Sequence, residues 1–133
     1  MACPYFFPTE RAHEEWWPHR RRLPLGDGWR GECAASGMVP SDDELRDWCN
    51  LGHAARCPHL PPDRAADSVR FGAALTDDRM RVTFVYERAH RPGETGVLEF
   101  DRATRICLAP HEDRCLQRMA ECYLKTWLLR RQG

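Results

Sequence analysis

Lysine is almost missing from this 133-residue chain: Lys125 is the only one, and the rest of the basic side is arginine. Lys plus Arg and Asp plus Glu both number 20, so the formal net charge is zero. No global field therefore recruits nucleic acid or an acidic membrane. No run of apolar residues approaches the ~18 that would suggest a membrane span. The opening MACPYFFPTERAHEEWW lacks a basic start followed by a long apolar stretch, so no secretory signal is expected. Internal repeats and low-complexity tracts are also missing. Gly26-Asp27-Gly28 lacks the strand-to-helix setting and the lysine of a phosphate loop, so it reads as a lone turn. Glu87 and His90, posed as an acid–base pair, fall on opposite faces of a strand. Neither a nucleophile triad nor a paired-carboxylate site is present. No catalytic residue is assigned, and an enzyme in its own right is not expected.

One further absence carries most of the functional reading. The chain has seven cysteines, yet nowhere a C-x(2–4)-C pair. Seven is odd, so full internal disulfide pairing is excluded, and about 5% cysteine is below the density of a disulfide scaffold. In a soluble protein of a reducing, cytoplasmic compartment, the localisation expected here, clustered cysteine means metal or catalysis more often than disulfides. Four thiols, Cys3, Cys33, Cys49 and Cys57, fall in the first 57 residues, with 29, 15 and 7 residues between them. Structural zinc sites usually start from a tight knuckle, whereas a cubane is larger and takes thiolates from separated corners. Proline follows Cys3 and Cys57 directly, as in ferredoxin-type runs ending in Cys-Pro. Flanking aromatics such as Tyr5, Phe6 and Trp48 would exclude water. The four are thus expected to hold a [4Fe–4S] cluster. The alternatives are a Zn2+ site, including a Cys3His site that uses His53 or His59, and four small buried hydrophobes. His13 and His19 lie in the same lobe and read as surface or hydrogen-bonded side chains. Cys107, Cys115 and Cys122 stand apart from this set, and Cys115 and Cys122, seven apart on the last helix, look like core thiols.

The chain divides by pattern into a Cys-rich lobe over residues 1–64 and a sheet-plus-helix part over 65–133, together one domain of ordinary size. Residues 1–40 show no sustained period, and five prolines forbid a long helix there. The aromatics of this segment argue against disorder, and a metal held by Cys3 and Cys33 would organise it. Residues 41–51 predict a helix with Ser41 as N-cap and Glu44 closing a capping box. Gly52 as its stop would let Cys57 fold back beside Cys49. Period-2 runs around 69–75, 80–86 and 96–100 predict an antiparallel meander of three strands, four if RICLA at 105–109 pairs. Residues 111–131 predict an amphipathic helix with Leu116, Met119, Ala120, Tyr123, Leu124, Trp127 and Leu128 on one side. The expected fold class is α+β: a Cys-rich loop-plus-helix metal lobe packed on a small antiparallel sheet of three to four strands with a C-terminal amphipathic helix.

The run His19-Arg20-Arg21-Arg22 beside Trp16 and Trp17 has the look of an aromatic-basic patch. The lobe up to residue 64, however, carries 10 acids against 8 arginines, so a solvated or partner-facing charge run is the preferred reading. Nucleic acid is not an expected partner.

At CPYF (Cys3 to Phe6), LPLGDGWRGEC (Leu23 to Cys33) and CNLGHAARCP (Cys49 to Pro58), the chain resembles a group of short bacterial proteins. That group shares a CP-aromatic start, an LPLGDGWRGxC stretch and a CNLGxAxxCP ending. The resemblance covers half to three quarters of the chain and fades in the last helix. It implies that Cys3, Cys33, Cys49 and Cys57 belong to one motif, and it brings no activity. The resulting expectation is a small iron–sulfur protein for electron transfer, or a cluster-bearing accessory subunit, with a protein partner. The alternative is a zinc-stapled interaction module in a larger assembly.

Overall fold

A computed structural model describes residues 2–12, 22–51, 57–89 and 91–132. Among these residues, five strands and two α-helical segments appear in the order β1 (Phe6–Arg11), β2 (Trp29–Cys33), α1 (Asp42–Glu44), β3 (Ser68–Leu75), β4 (Arg79–Arg88), β5 (Arg91–Asp101) and α2 (Arg114–Gln132). They make one two-stranded antiparallel sheet, β1-β2, one three-stranded antiparallel sheet, β3-β4-β5, and a C-terminal helix. The fold class is α+β. No helix among the described residues is long and apolar enough to cross a membrane.

The expected meander is present because side chains alternate across the pleat. Met80, Val82 and Phe84 of β4 are buried, as are Leu98 and Phe100 of β5, while Arg81 and Thr83 face outward. Cross-strand pairs Met80–Phe100 and Val82–Leu98 set the register, and a bulge lies between Val85 and Glu87. The RICLA run does not form a full fourth strand. It returns to β5 through a single bridge, Phe100 to Cys107. The turn before it holds Arg105 at φ +63°, and Ile106 beside it is 65% exposed. A segment with only one apolar residue facing the core has too little to bury to continue the ladder.

Helix α2 starts where Asp113 caps it, its Oδ1 accepting from the N–H of Cys115 (3.0 Å) and Leu116 (3.3 Å). The hydroxyl of Tyr86 donates to the other oxygen of the same carboxylate at 3.0 Å, which fastens the helix start to β4. Leu116, Met119, Ala120 and Leu124 are buried as the 3.6-residue period requires. On its other flank α2 meets the N-terminal part of the chain. Arg118 donates to the carbonyls of Pro8 (2.7 Å) and Thr9 (2.9 Å), and Thr126 donates to that of Leu25 (2.8 Å). One buried cluster accordingly draws on both parts: Phe6, Leu25, Trp29 and Leu45 pack with Met80, Val82, Leu116 and Met119. Each such side chain contributes about 1.5–3 kcal/mol.

The largest departure from the sequence reading lies in residues 1–40. These were expected to be irregular, but Phe6–Arg11 and Trp29–Cys33 pair as the antiparallel strands β1 and β2. The bulge in this pairing falls between Pro8 and Glu10, which accommodates a proline that cannot donate to a ladder. Gly31 is what lets the two strands close. A Cβ there would sit 2.1 Å from the Phe7 carbonyl oxygen and 2.7 Å from Pro8 Cα, both backbone atoms that cannot swing away. Gly31→Ala is expected to cost about 3 kcal/mol, the upper end of overpacking penalties. Urea unfolding measures this, and a cost under about 1 kcal/mol would contradict so close an approach of the strands.

Candidate metal centre

Each cysteine of the N-terminal set is placed by a different local device. Cys3 follows Ala2, which exchanges hydrogen bonds with Val69 at the edge of β3 (2.7 and 2.9 Å). Its own N–H donates to the Cys49 carbonyl at 3.2 Å, so two of the thiol-bearing residues are joined through the backbone. Cys33 ends β2 opposite Phe6. From there the chain turns tightly: Gly37 N–H donates to the Cys33 carbonyl at 2.8 Å and Cys33 N–H to the Met38 carbonyl at 3.0 Å. The turn needs φ +73° at Gly37, the left-handed region that glycine enters without penalty. It aims the N–H of Ser36 at Cys33 Sγ, 3.4 Å away.

Cys49 closes the helical segment, which differs from the regular helix the sequence predicts. The start is as read: Ser41 Oγ accepts from Glu44 N–H (3.2 Å) and Glu44 Oε1 from Ser41 N–H (2.9 Å). After the single turn of α1 the helix widens into a π-helical turn over Leu45–Cys49, with Asn50 N–H donating to the Leu45 carbonyl at 3.1 Å. The extra residue turns Leu45 and Cys49 inward together, leaving them 1% and 8% exposed. Such insertions cluster at functional sites. The driver is Asn50, fully buried: its Nδ2 donates to the carbonyls of Trp29 (3.0 Å) and Leu45 (2.8 Å), and its Oδ1 accepts from Trp29 N–H (3.1 Å). Gly52 and His53, named as helix stop and as alternative ligand, lie outside the described residues, as do His13, His19, Arg20 and Arg21.

The result is convergence. Cys3, Cys33, Cys49 and Cys57 all line one pocket of about 50 Å³, walled by Phe6, Trp48 and Leu60, with Met38, Val39 and Pro40 at one side. His59 and Glu44 also line it, and they hold each other through Nε2 and Oε2 at 2.8 Å. Among the described residues, no three Cys, His, Asp or Glu side chains come together closely enough to share a single metal ion.

The electrostatics of this ring bear on what it can bind. Among the described residues, neither arginine nor lysine lines the pocket. Burial pushes the Cys3 thiol up to about 12, and Cys33 and Cys57 nearby add to the rise. Cys49 is raised further, by burial first and then by Cys3, Cys33 and Cys57. Cys57 is raised by burial, then by Cys33 and Glu44. Opposing this, backbone N–H groups favour the thiolate form: that of Tyr5 at Cys3, and those of His59 and Leu60 at Cys57. Without a cation, burial favours the neutral thiols of Cys3, Cys49 and Cys57. A coordinated metal deprotonates thiols outright, and amide donors already aimed at the sulfurs would stabilise the product. A thiolate-bound metal group would draw on Cys3, Cys33, Cys49 and Cys57 as its donor set.

Three participants were not foreseen from the sequence. Asn50 and Ser36 act through local geometry that only the fold reveals, although a glycine four residues after Cys33 was a signal for a tight turn. Cys115 is the third. It stands near enough to raise Cys3, and its own thiol, pushed up to about 11 by burial and Asp113, also feels Cys33. Cys122 is buried away from this group, and Cys107 sits half-buried at the β5 bridge. The chain matches no protein-family model and no solved structure at a significant level.

Proposed function

We propose that Cys3, Cys33, Cys49 and Cys57 ligate a [4Fe–4S] cluster, and that the protein works in electron transfer or as a cluster-bearing accessory subunit. One observation carries this reading: all four cysteines, drawn from separate parts of the chain, line a single pocket of about 50 Å³. A bound cluster would supply one-electron chemistry. The chain's own residues would hold it, direct N–H groups at its sulfurs from Tyr5, Ser36, His59 and Leu60, and exclude water with Phe6, Trp48 and Leu60. The half-buried Cys33 and Cys57 would form its outward edge, and the buried Cys3 and Cys49 its inner one.

A zinc staple is the second reading, favoured by His59 on the wall of the same pocket. Zn–S bonds of about 2.3 Å would need the sulfurs to close to roughly 4 Å of one another. The two readings separate cleanly in one preparation. Anaerobically purified protein is expected to be brown, with iron and acid-labile sulfide in a 1:1 ratio and a visible band bleached by dithionite. Colourless protein carrying one zinc would sink the cluster assignment.

A further inference from the structure

We infer that β3 is a self-pairing edge, and that the protein forms a two-fold symmetric dimer by antiparallel β3–β3 addition, extending each three-stranded sheet into one of six strands. The inference rests on the fold alone and stands whether or not metal is bound.

Strand β3 pairs on one side with β4 over its full length, from Ser68 to Leu75, without a bulge. On its other side the one bridge among the described residues is Ala2 to Val69, with hydrogen bonds in both directions. In an antiparallel ladder the backbone groups of alternate residues point to alternate sides. Val69 points outward, so Phe71, Ala73 and Leu75 do as well. Gly72 points inward, consistent with its carbonyl accepting from Thr83 Oγ1 at 3.4 Å. Among the described residues nothing pairs with the outward N–H and C=O groups of Phe71, Ala73 and Leu75.

Folded proteins usually blunt such an edge with proline, lysine, a bulge or a covering element. The stretch Phe71 to Leu75 reads FGAAL and has none of the first three. The small residues Gly72, Ala73 and Ala74 also let a second backbone come close. Beside the edge, the stacked rings of Phe71 and Tyr123 (centroids 5.8 Å apart) and the side chain of Leu75 are only partly buried. A strand added at the edge would cover them.

Charge selects the occupant. At its start the edge carries Arg70, its side chain 58% exposed and 3.7 Å from the Glu87 carboxylate, and at its end Asp77 and Asp78, the Asp78 side chain 78% exposed and 3.3 Å from Arg79. Antiparallel pairing about Ala73 sets Phe71 against Leu75 of the second copy and brings Arg70 diagonally onto the second copy's Asp78. The two-fold axis makes each contact twice, which is the self-complementarity an isologous interface requires. Parallel addition would set like charges together at both ends. Six strands are also an ordinary sheet size.

Light scattering on a sizing column, at several concentrations, tests this. Wild-type protein is expected at twice the monomer mass. Ala73→Pro removes only an outward N–H, which an edge strand tolerates in the monomer, and is expected to run as a monomer with an unchanged far-ultraviolet spectrum. Should that variant fold poorly, the charges decide. Arg70→Glu is expected to raise the dissociation constant several-fold, and Arg70→Glu combined with Asp78→Arg to restore it. A wild type that stays monomeric at every concentration overturns the inference, as does a dimer that both Ala73→Pro and Arg70→Glu leave intact.

Discussion

Asn50→Ala is expected to be among the most damaging single substitutions outside the cysteines, at about 4 kcal/mol of folding stability. The side chain is fully buried and spans two elements that otherwise share no ladder: the end of the π-helical turn and the start of β2. Alanine would leave the Trp29 N–H and carbonyl without this partner, while the Leu45 carbonyl would keep the backbone N–H of residue 50. Each buried group so orphaned costs about 1–3 kcal/mol, with a further charge for the cavity. Asn50→Asp would keep the acceptor for Trp29 N–H, lose both donations, and set a carboxylate against two carbonyl oxygens. It is therefore expected to be no milder. Urea unfolding followed by far-ultraviolet circular dichroism is the measurement. A loss below about 1 kcal/mol for Asn50→Ala would mean that water or a local shift replaces the amide, and that Asn50 does not hold the turn in place.

The comparison of residues with structure shows where pattern reading succeeds. In β4 and β5, Met80, Val82, Phe84, Leu98 and Phe100 alternate with polar neighbours, and burial follows that alternation. In α2 the spacing of Leu116, Met119, Ala120 and Leu124 does the same at period 3.6. Ser41 and Glu44 announced a helix start because a cap is a local event between residues three apart. The β1–β2 hairpin was not legible. Its strands are separated by 17 residues, β1 contains Pro8, and Gly31 weakens the strand signal although it is the residue that permits pairing. The π-helical turn was hidden for a related reason, since Asn50 at its end donates to the Trp29 carbonyl, 21 residues away. The grouping of Cys3, Cys33, Cys49 and Cys57 was legible as a set by spacing and context. Cys115, close to them in space, was not, because its helical position reads equally well as core packing.

Cys49→Ser is expected to reduce the iron and sulfide of anaerobically prepared protein to background while leaving the β3-β4-β5 sheet and α2 folded. Cys49 is the buried inner member of the ring, and its backbone carbonyl also receives the Cys3 N–H. A serine hydroxyl there is a far poorer ligand for iron than a thiolate. In the metal-free state it adds a buried polar group to an apolar wall, at a cost of about 1–3 kcal/mol if unpaired. Damage should be confined to the segment that the centre anchors, since β4 and β5 draw their core from Val82, Leu98, Leu116 and Met119. Cys57→Ser is expected to lose the metal as well, with less loss of stability because Cys57 is only half-buried. Cys115→Ala provides the contrast. It lies near Cys3 and Cys33 yet does not line the pocket, so it should keep its iron and behave as a modest core truncation. Iron and sulfide assays with the visible spectrum, beside amide hydrogen exchange to locate any loosening, read all three. Full metal retention in every Cys→Ser variant of the four would refute the ligand set. Loss of iron in Cys115→Ala alone would move the centre to the other side of Cys3 and Cys33, against the first turn of α2.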